Sequence, residues 1–269
     1  MTLVAAALVV GLFLDGPQAA PSADSTHTVP GALPSAAPAQ PPQKAPPPTP
    51  PHTGIHALLS GLLDDVKHLP SMPNLWLAAG GGGLALAVHP YDQTFNARLR
   101  SHHDTVNDFF APGKIVGETP VQMGMALAAY GYGRLLHKPR VSHLGMDLLR
   151  GQIIAGGLTE GLKLATHRER PDGSNFRSFP SGHSSVTFAS ATVIERHLGW
   201  ADSIIGYAVA SYVAASRLHD NRHYLSDVVF GAAVGAIGGR TVTRHGRNVW
   251  TLAPVAVPGG VAIVAVRAP

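Results

Sequence analysis

Residues 216–240 read SRLHDNRHYLSDVVFGAAVGAIGGR, and they decide the fold. Their second part, 226–240, is an apolar segment of small residues with polar groups gathered at its ends. Gly231 and Gly235 form a small-x-x-x-small pattern that lets helix backbones approach closely, in soluble and membrane bundles alike. Ahead of the apolar part stand Ser216-Arg217, five residues, His223, three residues and Asp227. On a helix His223 and Asp227 share one face, so the carboxylate can hold one imidazole nitrogen.

Working outward, further apolar segments recur at about 74–88, 119–136, 144–165, 183–198 and 202–216, with turn residues between them. The expected fold is all-α, a bundle of about six core helices. Gly157 and Gly161 repeat the small-x-x-x-small pattern. The Gly80–Gly83 run lacks a following Lys-Ser/Thr and so is not a phosphate-cradling loop, leaving packing or flexibility. After the bundle, 248–269 reads as a C-terminal β-hairpin about Pro258-Gly259-Gly260.

The apolar fraction is 45% and the charged fraction 13%, so helices this poor in charge must hide most of their surface. The formal net charge of +4 suits an anionic substrate or an anionic membrane surface. No block of basic residues occurs that would point to nucleic acid. The absence of cysteine excludes disulfides, thiolate nucleophiles and Cys-ligated zinc.

Two more polar clusters lie where apolar segments end. Lys163, on the last turn of one helix, is followed after six residues by Arg170-Pro171 in a loop. Pro180-Ser181-Gly182-His183 then opens the next helix, whose N-terminus offers free N–H groups and a partial positive charge.

Taken together, the three clusters resemble the type 2 phosphatidic acid phosphatase (PAP2) family, which shares its fold with vanadium haloperoxidases and bacterial class A acid phosphatases. The family's pattern is Lys, six residues, Arg-Pro; Pro-Ser-Gly-His; and Ser-Arg, five residues, His, three residues, Asp. Every position matches, in order. The resemblance covers a motif core within 119–240 and a phosphatase domain of about 55–247. It implies that Lys163, Arg170 and Arg217 hold the phosphoryl oxygens, helped by Ser181 and by backbone N–H groups around Ser181 and Gly182. It further implies that His223 attacks phosphorus, that Asp227 fixes the tautomer of His223, and that His183 protonates the leaving oxygen. The implied reaction is metal-independent hydrolysis of phosphate monoesters through a phosphohistidine, with no cofactor. Lipid or isoprenoid phosphates and small phosphomonoesters are the implied substrates. The rival readings are a vanadium-dependent haloperoxidase and a non-catalytic bundle that binds phosphate groups.

Other polar residues carry less. His102-His103-Asp104 reads as a solvated loop rather than a metal site, because sequence neighbours point to different faces. His167, Arg168, Arg177, His219 and Arg222 flank the clusters and are expected only to bias the local field towards anions.

At the N-terminus, Leu3–Leu14 carries no charge and is short for a bilayer span, which fits a signal peptide or anchor over 1–20. Residues 21–54, rich in Pro and Ala, read as a disordered tether. The segment 144–165 carries Asp147, Arg150, Glu160 and Lys163, a costly set in lipid unless its charged face is covered. An exported domain is expected, periplasmic or on the periplasmic face of the inner membrane.

Overall fold

Proline stands in the first turn of three helices, where its missing N–H costs no intrahelical bond. The structure, a computed structural model, describes residues 54–100, 103–244, 250–257 and 260–267, and beyond 244 the backbone alone. The leader reading for 1–20 and, except for Gly54, the tether reading for 21–54 fall outside those residues.

The chain forms α1 (Ile55–His68), α2 (Met72–Val88), a 3₁₀ turn (His89–Tyr91), α3 (Asp92–Leu99), α4 (Asp104–Val116) and α5 (Thr119–Leu135). There follow α6 (Pro139–Thr166), α7 (Gly182–Leu198), α8 (Trp200–His219) and α9 (Leu225–Val242). An antiparallel hairpin of β1 (Trp250–Val257) and β2 (Gly260–Arg267) ends the described chain, as its sequence suggests. The all-α reading holds, and each of the six apolar segments is a helix. Helices α1, α3 and α4 are additional. The last two are masked in sequence, α3 by being eight residues long and polar, α4 by an internal Pro112.

Helix α9 packs against α7, α6 and α2, while α7 also packs on α8 and α5 lies along α6. Small side chains make this possible: Ala155, Ala189, Val193, Ala210 and Val213 are fully buried in the core. At Gly235 a Cβ would stand 2.3 Å from the Ser185 carbonyl oxygen, and at Gly231 one would stand 2.6 Å from that of Ser181. The Gly231/Gly235 pattern therefore does seat α9 on the helix that begins beside Ser181. The matching pattern at Gly157 and Gly161 does not act this way, since neither glycine has anything within 4 Å of where a Cβ would be. In the glycine run it is Gly81 that packs, its missing Cβ making room for Ala233.

Gly235→Ala is accordingly expected to force backbone against backbone and to destabilise the fold by about 1–3 kcal/mol or more. Gly157→Ala, with open space and better helix propensity, is expected to be neutral or stabilising. Melting temperatures of the two variants check this, and equal losses would refute the packing account.

Candidate active site

The loops before α7 and α9 meet at His223. Because α9 begins only at Leu225, with Tyr224 as its N-cap, His223 lies in the loop and Asp227 in the first helical turn. The pair therefore does not share a helix face, and the expected imidazole–carboxylate bond is replaced by a three-residue relay. The Nδ1–H of His223 donates to the Ser178 carbonyl at 2.7 Å, while Asp227 Oδ2 stands 3.6 Å from Nδ1. A carbonyl only accepts, so Nδ1 carries the ring proton and Nε2 keeps its lone pair.

The hydroxyl of Ser178 donates to Asp227 Oδ2, which also accepts the Tyr224 N–H at 2.8 Å. Ser178 thus links the two residues, receiving from the histidine and giving to the aspartate. The other oxygen, Oδ1, accepts Arg168 Nη1 at 2.7 Å. The same guanidinium donates through Nη2 to Asp92 Oδ2 at 2.7 Å and rests over the Tyr224 ring, 4.3 Å from its centroid. Arg168 is thus a strut between two buried carboxylates and not merely a flanking charge.

Asp92 itself accepts the Ser226 N–H at 2.9 Å and the Ser226 hydroxyl at 2.6 Å. Burial alone would raise its carboxyl, but the donors Ser226 and Arg168 outweigh burial and hold it below its ordinary value. Asn96, also on α3, donates to the His223 carbonyl at 3.1 Å. Nothing in the sequence pointed to Asp92 and Asn96. Asp92 lies 134 residues from the Ser226 it holds, on a short polar helix with no motif of its own.

The charges of Lys163, Arg170 and Arg217 reach this histidine or His183 beside it. Lys163, on the last turn of α6, sits against Gly182, where a Cβ would lie 3.5 Å from Nζ. Lys163 and Arg170 both act on the charge of His223, while Arg217 and His223 both act on that of His183. Burial lowers the affinity of Arg170 and Arg217 for their protons; Arg222 adds to the effect at both, and Arg170 adds to it at Arg217. Their Nε atoms, both buried, have no hydrogen-bond partner. A buried guanidinium donor without a partner is costly, and an oxyanion in the cage would satisfy it.

Ser181 is the N-cap of α7, its hydroxyl accepting from Ser184 N at 3.4 Å. Its own N–H is already given to the Asp227 carbonyl at 3.0 Å, so the backbone donor expected from Ser181 is spent inside the fold. His183, on the first turn of α7, donates Nε2–H to the Lys114 carbonyl at 3.2 Å. Burial and the neighbouring Arg217, His223 and Lys163 push it down to about 3, so the ring is neutral without a bound anion. His223 is also pushed down, by burial first, with Asp227 opposing.

Of the remaining flanking residues, Arg177 pairs with Glu160, Arg222 with Asp172, and His219 with the Leu99 carbonyl and Asn107, while His167 is the left-handed C-cap of α6. His103 is the N-cap of α4 and Asp104 lies in its first turn, while His102 falls outside the described residues.

Residues 144–250, which contain the three clusters, match the family model of the PAP2 superfamily. A lipid A 1-phosphatase of Porphyromonas gingivalis is 37% identical over 127 residues, which are 45% of this chain and 27% of that protein. A putative phosphatidate phosphatase of Drosophila melanogaster is 35% identical over 80 residues, 25% of this chain and 21% of that one. The chain thus spans about a quarter of the length of these relatives. Among solved structures, a transmembrane PAP2 type phosphatidylglycerolphosphate phosphatase from Bacillus subtilis shares the fold. Its TM-score is 0.52 at 21% identity, covering 63% of this chain and 93% of that one. Residues 144–250 thus match the PAP2 superfamily model, and the helical fold is shared with a PAP2-type structure.

Proposed function

We propose that the chain is a phosphatase that hydrolyses phosphate monoesters of lipids through a phosphohistidine on His223, without a metal at the reacting centre. The observation that carries this reading is the pair of buried, unpartnered arginine Nε donors beside a histidine whose Nε2 lone pair is free. Phosphoryl transfer is largely positioning and charge stabilisation, and three cationic side chains supply both. Lys163, Arg170 and Arg217 bind the phosphoryl oxygens. His223 Nε2 attacks phosphorus in line as the ester oxygen leaves, and His183 gives that oxygen a proton. His183 then takes a proton from water, which displaces phosphate from the histidine. Asp227, held by Arg168, Ser178 and Tyr224, stabilises the positive charge that grows on the His223 ring.

Two observations favour a lipid ester over a small soluble one. The relatives are named as phosphatases of lipid A and phosphatidate. The rim of the site is apolar: Phe176 is 57% exposed on the Arg170 loop, and Ile115 is 58% exposed beside the Lys114 carbonyl that His183 touches. Trp76, Leu84, Leu86 and Phe109 are also exposed, a surface suited to lipid. Among the described helices, Leu225–Val242 is the one long and apolar enough to cross a membrane, and 61% of it is buried. Of the four charged residues in 144–165, Asp147, Arg150 and Lys163 are buried, while Glu160 is exposed. We place the enzyme at the periplasmic face of a membrane, a location that rests on the leader reading of 1–20.

The test is phosphate release from phosphatidate, lipid A, an isoprenoid phosphate and p-nitrophenyl phosphate in detergent. A lipid ester is expected to give the highest kcat/KM. No phosphate release from any substrate, together with bromide oxidation in the presence of vanadate, would refute the phosphatase reading.

A further inference from the structure

At the far end of the bundle, a second polar cluster has no part in the chemistry above. Asp147 lies 16 residues before Lys163 on α6 and His197 lies 14 after His183 on α7. At 1.5 Å per residue the cluster is roughly 20 Å from the phosphate cage. We propose that His143, Asp147 and His197 form a site for one divalent transition metal ion of the Zn2+ type, tying α6 to the end of α7.

The donor geometry fits such an ion. His197 Nε2 is 2.9 Å and His143 Nε2 is 3.5 Å from the same oxygen, Asp147 Oδ2. One ligand atom from each of the three residues lies within 4.8 Å of the others. Bond lengths of about 2.0–2.1 Å at tetrahedral angles put ligand atoms about 3.3 Å apart, so closing around an ion requires only small side-chain shifts. His143 and Asp147, four apart on α6, stand one helical turn above each other. Two imidazoles and a carboxylate suit zinc, cobalt or nickel, whereas calcium and magnesium prefer all-oxygen sets.

The surroundings hold the carboxylate in place. Its second oxygen, Oδ1, accepts Arg150 Nη1 at 3.0 Å. Arg150 is in turn fixed by Asp65 Oδ2, at 2.8 Å from Nε and 2.6 Å from Nη2. Such outer partners orient a ligating carboxylate. Two carboxylates also share one guanidinium, so a unit of negative charge faces the imidazoles and favours a cation there. Asp147 is 1% exposed, but the side chains of His143 and His197 are 22% and 17% exposed, which leaves an entry path and room for a water as fourth ligand.

The test uses the full chain, stripped of metal and titrated with Co2+ and then Zn2+. One Co2+ per chain with the intense visible absorption of tetrahedral coordination is expected, displaced by Zn2+, and Zn2+ should raise the melting temperature. His143→Ala and His197→Ala, at partly exposed positions, should each weaken binding by more than ~100-fold and abolish the thermal shift, since losing even an outer partner costs ~10–100-fold. If either alanine variant misfolds by circular dichroism, His197→Gln serves in its place. The chain has 15 histidines, so Zn2+ binding that persists unchanged in these variants reports other sites and overturns the proposal, as does the lack of a tetrahedral Co2+ spectrum.

Discussion

His223→Ala is expected to abolish turnover of every substrate, with a loss on the order of 10⁶-fold in kcat, the scale seen when a nucleophile is removed. The physical ground is specific. With Nδ1–H committed to the Ser178 carbonyl, Nε2 is the nitrogen able to form the bond to phosphorus. Burial keeps the ring neutral, and Asp227 at 3.6 Å offsets the positive charge that appears when the bond forms. Removing the imidazole leaves the cationic cage in place, so the variant should still bind phosphate or vanadate. An acid-labile, base-stable phosphoenzyme should be trapped from the wild type during turnover and be absent from His223→Ala. A phosphoenzyme that still forms in the variant would show that the nucleophile is elsewhere.

His183→Ala is expected to discriminate among leaving groups. General acid catalysis is typically worth ~10²–10⁴-fold, so a lipid alkyl phosphate should suffer a loss of that size, whereas p-nitrophenolate leaves with little help. The proton raises a question of sign. In the free site His183 is pushed down to about 3 by burial, then by Arg217, His223 and Lys163, and it holds no spare proton near neutral pH. A phosphate dianion brings negative charge against those same cations and moves the imidazole back towards its ordinary value. Anion binding should therefore take up a proton between about pH 4 and 6, where the free ring is neutral and the bound ring charged. Calorimetric titration with vanadate in two buffers of different ionisation heat measures the uptake. Equal uptake in wild type and His183→Ala, or equal losses for alkyl and nitrophenyl esters, would refute the assignment.

Much of the site was legible because its chemistry is local. Lys163, Arg170, Ser181-Gly182-His183, Arg217, His223 and Asp227 stand at helix ends and in loops, where close spacing in sequence constrains spacing in space. The six main helices were legible because long apolar runs broken by turn residues have few other ways to bury themselves. What was missed is non-local. Asp92 and Asn96 reach the site from a short helix across the fold, and Ser178 enters through a carbonyl and a hydroxyl that no pattern marks. The His143–Asp147–His197 cluster joins two helices at residues 50 apart in sequence.

The sequence by itself determined the helical class and the resemblance of its three polar clusters to the PAP2 pattern, because residue type and short-range spacing suffice for those. Only the tertiary structure decided how the residues are wired. It gave the His223 proton to Ser178 rather than to Asp227, since α9 starts after His223 and the helical spacing assumed for the pair does not apply. It made Arg168 a strut between Asp227 and Asp92, spent the Ser181 N–H inside the fold, and showed which glycine pair packs. Each of these depends on which groups from distant elements fill one another's hydrogen bonds and space, and a buried polar group takes whatever partner the packing brings to it.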